Sequence, residues 1–218
     1  FMNQPGAARR NFFSFVKAVS PLLGAEAQKA AQDAVDGFEA VCRAACADVW
    51  RRKMGLRSFD GACAELFEQV EDLLSVSSMD WTIFWRQLAE FPAQGLGADA
   101  PAAELLAVLR PACYEELTPE LQARWTRWLG AWLEKLQEQG APGAEAAAEM
   151  RRTSPKYVPR EWMLVAAYDA ANNGDYSVMK ELAALFSEPF AEQPTFAEKY
   201  YRKAPAGSAE KGGTAFMS

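Results

Sequence analysis

The chain contains no histidine among its 218 residues. This absence excludes serine–histidine and cysteine–histidine nucleophile pairs, histidine general bases and most zinc sites. A glycine-rich phosphate loop is also lacking. Gly95-Leu96-Gly97 has no third glycine at the required spacing, and no strand pattern precedes it. The most familiar catalytic and nucleotide-binding signatures are therefore missing from this sequence.

An excess of positive charge is absent as well. The 23 Lys and Arg residues are outnumbered by 29 Asp and Glu residues, which gives a net charge of −6. Nucleic-acid binding requires clustered cations, so we expect no nucleic-acid partner. No apolar run approaches the roughly 20 residues that span a bilayer, and we expect no membrane segment. The first residues, Phe1-Met2-Asn3-Gln4-Pro5, do not form a signal peptide.

Cysteine is scarce, with four residues at positions 42, 46, 63 and 113. Cys42 and Cys46 are four residues apart and would share one face of a helix. A disulfide between adjacent turns would be strained, and two thiolates without histidine make a poor zinc site. We interpret all four cysteines as buried packing residues. A thiol-redox protein that works through Cys42 and Cys46 remains an alternative.

The apolar residues recur at helical spacing, whereas convincing strand alternation is missing, so we predict an all-α fold. Ser20-Pro21 ends the first helix, and Gly55 caps the second after three cations in its last turn. Asp80 is predicted to cap a helix that carries Trp81, Phe84, Trp85 and Leu88. The loop composition of residues 91–103 predicts irregular structure. The other predicted helices span residues 7–19, 25–54, 60–75, 102–110 and 144–150.

The strongest helix signal begins at Thr118, which can cap, and Pro119, which suits the first helical position. A continuous apolar stripe follows, and we interpret its tryptophans as core residues rather than as an aromatic ligand platform. The stripe comprises Leu121, Trp125, Trp128, Leu129, Trp132, Leu133 and Leu136.

The last third of the chain is predicted to form two helices joined by a turn. Pro159 precedes a helix over residues 160–172, Gly174 ends it, and Asp175 or Ser177 caps a second helix that ends near Phe186. From Pro189 onward, the frequent Pro, Gly and Lys residues predict an extended, irregular tail.

Three motifs resemble the selenoprotein O family: the N-terminal Asn3-Gln4-Pro5 with Asn11-Phe12-Phe13, the segment Trp50-Arg51-Arg52-Lys53-Met54-Gly55-Leu56, and the block from Pro155 to Ser218. The family usually has Asn at position 154, Leu at 159 and Asn at 161, where this chain has Ser154, Pro159 and Glu161. The resemblance implies a kinase-like protein that transfers AMP from ATP to hydroxyl groups of other proteins.

The resemblance further implies that the catalytic residues lie upstream, since none of the family's phosphate-binding or magnesium-binding residues maps onto this sequence. We therefore assign no catalytic, cofactor-binding or metal-binding residue. ATP and magnesium would belong to the parent protein, and this fragment alone is expected to be inactive. Its partners would be the missing N-terminal catalytic region, within the same molecule, and the parent's protein substrates.

By the same resemblance, this chain would form the helical C-lobe portion and the C-terminal extension of a kinase-like fold. We divide it into residues 1–92, a C-lobe segment, residues 93–152, a variable segment with the Trp-rich helix, and residues 153–218, a helical pair with its tail. The last motif, Gly212-Gly213-Thr214-Ala215-Phe216-Met217-Ser218, resembles a family tail in which the next residue is selenocysteine or cysteine, and the resemblance implies the same here.

The resemblance also implies a mitochondrial or other organellar location, although the chain opens without an initiator methionine and its true N-terminus would lie elsewhere. A stand-alone helical module that binds other proteins is the main alternative function. Its own upstream stop codon and start codon would distinguish it from a fragment.

Overall fold

A computed structural model describes residues 4–140 and 143–208 of the chain. These residues form eleven α-helices and no strand, apart from one isolated bridge between Met79 and Cys113. The all-α prediction is confirmed. The helices are α1 Gln4–Val19, α2 Ala25–Lys53, α3 Gly61–Val76, α4 Trp81–Gln87, α5 Glu90–Ala93, α6 Ala102–Leu109, α7 Pro119–Glu138, α8 Gly143–Thr153, α9 Glu161–Asn172, α10 Ser177–Ser187 and α11 Pro194–Tyr200.

The chain divides into two compact units, Phe1–Trp50 and Arg51–Ser218. In the first unit, Phe12 of α1 stacks on Phe38 of α2 with ring centroids 5.6 Å apart. Val35 is buried, but Phe15 is 61% exposed and Val41 is 70% exposed. The apolar positions of these two helices therefore do not close into a core within this unit.

The second unit contains an extensive apolar core, in which α3 packs against α7 and α5 packs against α8. Helix α7 contributes its whole apolar stripe to this core except Leu121. The largest fully buried side chains of the unit are Trp85, Trp125, Trp132, Tyr157, Phe84 and Phe91.

The three tryptophans of α7 are core residues, as predicted, and each indole N–H donates to a different part of the chain. Trp125 donates to the Ser77 hydroxyl at 2.9 Å. Trp128 donates to the backbone oxygen of Leu66 at 2.8 Å, and Trp132 to that of Met54 at 2.9 Å. Burial of these large rings therefore leaves none of the three N–H groups unpaired.

Three helix ends have the capping residues that the sequence predicts, but α10 does not: its N-cap is Tyr176, which makes no side-chain capping bond, and the Asp175 carboxylate accepts from the Ser177 N–H at 2.8 Å. The Asp80 carboxylate accepts from the backbone N–H of Ile83 at 3.0 Å, and the Thr118 hydroxyl accepts from that of Leu121 at 3.3 Å. Gly55 has a φ of +69°, and a Cβ there would lie 2.8 Å from the Met150 sulfur. Glycine at this position therefore ends α2 and also permits close packing of α8.

Two predictions of irregular structure are wrong in part: residues 94–101 and 201–208 are irregular as predicted, but each predicted stretch also contains a helix. Pro189 onward was expected to be extended, but Pro194–Tyr200 forms α11, with Tyr200 buried and Phe196 packed on the same apolar cluster. Residues 91–103 were expected to form a loop, but Glu90–Ala93 forms α5 around the fully buried Phe91. Both helices are short, so their formation depends on tertiary burial more than on local signals. The motif at residues 212–218 lies outside the described residues.

Candidate functional site

A buried arginine of α4 joins the C-terminal segment to the helical core. Arg86 is 4% exposed, and its guanidinium donates to the backbone oxygens of Arg151 at 2.7 Å, Ser154 at 3.0 Å and Phe190 at 3.2 Å. It also forms an ion pair with Glu192. A planar guanidinium with five donors can satisfy several acceptors at once, which a lysine ammonium could not do with this geometry.

The segments around Arg86 are also bonded to each other. The backbone N–H groups of Lys156 and Tyr157 donate to the Pro189 oxygen at 2.8 and 3.1 Å. The Tyr157 hydroxyl donates to the Glu192 backbone oxygen at 2.9 Å, and the Lys156 ammonium donates to the Glu192 carboxylate at 2.7 Å. Burial opposes ionisation of Glu192, but the bonds from Lys156 and Arg86 outweigh it and lower the pKa of this carboxyl.

A second ion pair lies at the start of α4. Arg160, the residue before α9, forms a bidentate pair with the buried Asp80 carboxylate, and its Nη2 lies 2.8 Å from Oδ1. The Tyr114 hydroxyl donates to the same carboxylate at 3.0 Å. Asp80 was predicted only as a helix cap, but it also holds the start of the C-terminal helices.

Lys53, in the last turn of α2, is a half-buried cation with no carboxylate partner among the described residues. Its ammonium lies 3.4 Å from the Ser154 hydroxyl and 5.5 Å from the centroid of the Trp85 ring. Burial lowers the pKa of Lys53 to about 8, because desolvation penalises the charged form.

Replacement of Lys53 by methionine is expected to raise the free energy of unfolding of the purified chain by about 1 kcal/mol at pH 7. The folded pKa is about 8 and the ordinary value 10.5, so the unfolded chain holds the proton more tightly between these limits. Wild-type stability should therefore rise relative to Lys53→Met as pH rises from 8 to 10.5. Chemical denaturation at several pH values measures this difference. Lys180→Met at an exposed site is the control, and a pH-independent difference would contradict the argument.

The cysteine pair predicted as an alternative site lies in the first unit. Cys42 and Cys46 line a cleft of about 440 Å³ together with Arg9, Phe38 and Arg43. Burial raises the pKa of the Cys46 thiol, and the neighbouring Cys42 raises it further. A raised pKa opposes the thiolate that redox chemistry needs, so this environment does not favour the thiol-redox hypothesis. The prediction that all four cysteines are buried holds for Cys63 alone, since Cys42, Cys46 and Cys113 are partly exposed.

The structure brings together no metal-binding cluster in the part of the chain that it describes. Within residues 4–140 and 143–208, no group of three His, Cys, Asp or Glu side chains could hold an ion. No helix within those ranges is both long enough and apolar enough to cross a bilayer. The segment Gly95-Leu96-Gly97, which lacks the spacing of a phosphate loop, has the Asp99 carboxylate beside it. A Cβ added at Gly97 would lie 2.7 Å from that carboxylate.

Arg86 and its partners Arg151, Ser154, Phe190 and Glu192 form what we call the buried joint. Arg86 was not predicted from the sequence as a functional or structural centre. Arg86 follows four aromatic and aliphatic positions of α4, and a lone cation in such a helix was the available signal. Its acceptors lie 65 to 106 residues further along the chain, so no local pattern could identify them.

The comparisons with known proteins agree with the motifs. A family model described as "Protein adenylyltransferase SelO" matches residues 1–187. A protein nucleotidyltransferase YdiU of Chromobacterium violaceum is 33% identical over 213 residues, covering 95% of this chain and 41% of the relative. Another, of Bradyrhizobium sp. strain BTAi1, is 32% identical over 200 residues, covering 90% of this chain and 38% of the relative.

A third relative, the protein nucleotidyltransferase YdiU of Flavobacterium johnsoniae, is 27% identical over 222 residues, covering 100% of this chain and 41% of the relative. The chain thus spans about 40% of the length of the curated relatives that it matches. Because the family model covers most of the sequence, this chain belongs to the SelO family of protein adenylyltransferases.

Proposed function

We propose that this chain is the C-terminal helical region of a protein adenylyltransferase that transfers AMP from ATP to hydroxyl groups of proteins. The observation that carries the proposal is the family match over residues 1–187 in a chain that spans about 40% of its relatives. The catalytic residues lie upstream of this region, in the remaining part of the parent protein. The chain then corresponds to the helical C-lobe portion and C-terminal extension of a kinase-like fold.

The chemistry of AMP transfer supports the placement of the catalytic residues upstream of this chain. Moving a nucleotidyl group requires cations and magnesium that neutralise the phosphates and hold the reactants in line. In this chain, the cations of the buried joint already hold structural partners: Arg86 and Lys156 bind Glu192, and Arg160 binds Asp80. We assign ATP and magnesium to the upstream region, which the helices of this chain support.

The surface of the first unit supports an intramolecular partner. Phe15 and Val41 are exposed, and Leu22 is 85% exposed. Three exposed apolar residues on the hairpin that α1 and α2 form are typical of a surface that another part of the protein covers. The upstream catalytic region is the partner that we assign to it, and the acceptors of AMP are protein substrates of the parent.

Purified residues 1–218 are expected to bind no ATP in the micromolar range, with or without magnesium, and to transfer no AMP. Calorimetric titration measures the binding, and a mass increase on an acceptor protein measures the transfer. The matched positive control is the full-length parent, which should do both. Micromolar, magnesium-dependent binding of ATP to residues 1–218 alone would contradict the proposal.

A further inference from the structure

A small pocket lies among the C-terminal helices, apart from the buried joint around Arg86. We call it the Trp162 pocket; its apolar lining includes Trp162, Met163, Ala166, Val178, Tyr200 and Pro205. Its volume is about 340 Å³. Ligand pockets range from roughly 300 to 1,000 Å³, so this one lies at the small end of that range and has room for a single amino acid.

The indole of Trp162 differs from those of α7. Trp125, Trp128 and Trp132 each donate to an acceptor, whereas the buried Nε1 of Trp162 has no hydrogen-bond partner among the described residues. A buried donor without an acceptor is uncommon in native proteins and commonly marks a missing water or ligand. An acceptor that enters the pocket, with a small shift of the covering side chains, would satisfy this N–H.

Three charged residues line the same pocket: Asp169, Lys199 and Arg202. The Arg202 guanidinium lies 5.0 Å from the centroid of the Trp162 ring, and its Nε donates to the Lys199 backbone oxygen at 3.0 Å. The Asp169 carboxylate is the acidic group of the lining. Among the described residues, neither Arg202 nor Asp169 has an ion-pair partner, whereas Lys199 is paired with Glu181 at 2.6 Å.

We infer that the Trp162 pocket binds an apolar α-amino acid, either free or as the last residue of a peptide. The side chain of the ligand packs in the pocket with the Trp162 and Tyr200 rings on one side and the aliphatic lining on the other. The ligand carboxylate pairs with Arg202 and supplies the acceptor for the indole N–H. Asp169 accepts from the amino group or from the peptide N–H. An apolar lining with one cation and one carboxylate that lack ion-pair partners among the described residues matches this chemistry.

The indole N–H signals in a ¹H–¹⁵N spectrum of the purified chain test this inference. The chain has seven tryptophans, and the Trp162→Phe spectrum identifies the signal of Trp162. L-Phenylalanine is the first probe, and the Trp162 signal should shift saturably with a dissociation constant on the order of 1 mM or tighter. D-Phenylalanine should bind at least fivefold more weakly. No shift with either L-phenylalanine or N-acetyl-L-phenylalanine at saturating concentration would overturn the inference.

The two sources of the ligand are separated by blocked probes. N-acetyl-L-phenylalanine imitates a peptide C-terminus, and its tighter binding would identify a peptide, whereas tighter binding of L-phenylalanine would identify the free amino acid. N-acetyl-L-phenylalaninamide lacks the carboxylate and should bind at least tenfold more weakly than the better of the two. Equal binding of the amide would overturn the assigned role of Arg202.

Two variants test whether the ligand binds in the Trp162 pocket. Ala166→Phe fills the pocket without removing a charge and should weaken binding more than tenfold. Arg202→Gln should weaken binding of the carboxylate probes at least fivefold, whereas Arg127→Gln at an exposed, unpaired site should leave it unchanged. Wild-type affinity in Ala166→Phe would overturn the site. The test uses the chain alone, so its outcome is independent of the AMP-transfer assay.

Discussion

Replacing Trp132 by alanine is expected to lower the free energy of unfolding by about 3–5 kcal/mol. The ring is fully buried, packs edge-to-face on Phe91 at 5.7 Å and stacks on Trp128 at 5.9 Å. Its removal opens a large cavity in the core and leaves the Met54 oxygen without the indole donor. Trp125→Ala and Trp128→Ala should cost similar amounts, because both rings are buried in the same cluster.

Urea denaturation monitored by circular dichroism measures these differences. The matched control is Tyr176→Ala, which removes an aromatic ring that is 52% exposed and should change stability by less than about 0.5 kcal/mol. Near-wild-type stability of all three tryptophan variants would contradict the placement of α7 in the core.

Replacing Arg86 by methionine is expected to lower the free energy of unfolding by about 3 kcal/mol, because three backbone acceptors, one buried and two partly buried, lose a donor at roughly 1 kcal/mol each. These acceptors belong to Arg151, Ser154 and Phe190. The pair with Glu192 adds less, since that side chain is more than half exposed. Arg127→Met, at an exposed helix position, is the control for the loss of a guanidinium.

A local measurement separates this role from general destabilisation. Amide hydrogen exchange should become faster at Lys156 and Tyr157, whose N–H groups bond the Pro189 oxygen beside Arg86. Exchange at Leu129, in the middle of α7, should change only by as much as the global stability does. Unchanged exchange at Lys156 and Tyr157 would show that Arg86 does not hold the C-terminal segment.

Much of the helical architecture could be predicted because its signals are local. Thr118 and Asp80 cap their helices through bonds to residues three positions ahead, and the α7 stripe repeats at helical spacing. Helix α11 could not be predicted, because its seven residues are stabilised by burial of Tyr200 against residues of α9 and α10. That burial depends on the tertiary fold, which brings α11 against α9 and α10.

The candidate site was harder to predict for the same reason. Arg86 lies in a helix whose apolar pattern was clear, but its four acceptors come from α8, the following segment and the turn before α11. Nothing near Arg86 in the sequence indicates them. The family motifs located the region as a whole, since Lys156 and Glu192 lie in the C-terminal block that resembles the family.

The three indole donors of α7 also define the register of this helix. A slip by one residue moves every side chain by about 1.5 Å along the axis and about 100° around it. Such a slip would separate Trp125, Trp128 and Trp132 from Ser77, Leu66 and Met54 simultaneously. Hydrophobic contact alone permits several alignments of one helix on another. Three directional hydrogen bonds to three separate acceptors permit only one alignment. Insertion of a residue within α7 should therefore be far more disruptive than an insertion in the loop that precedes Thr118.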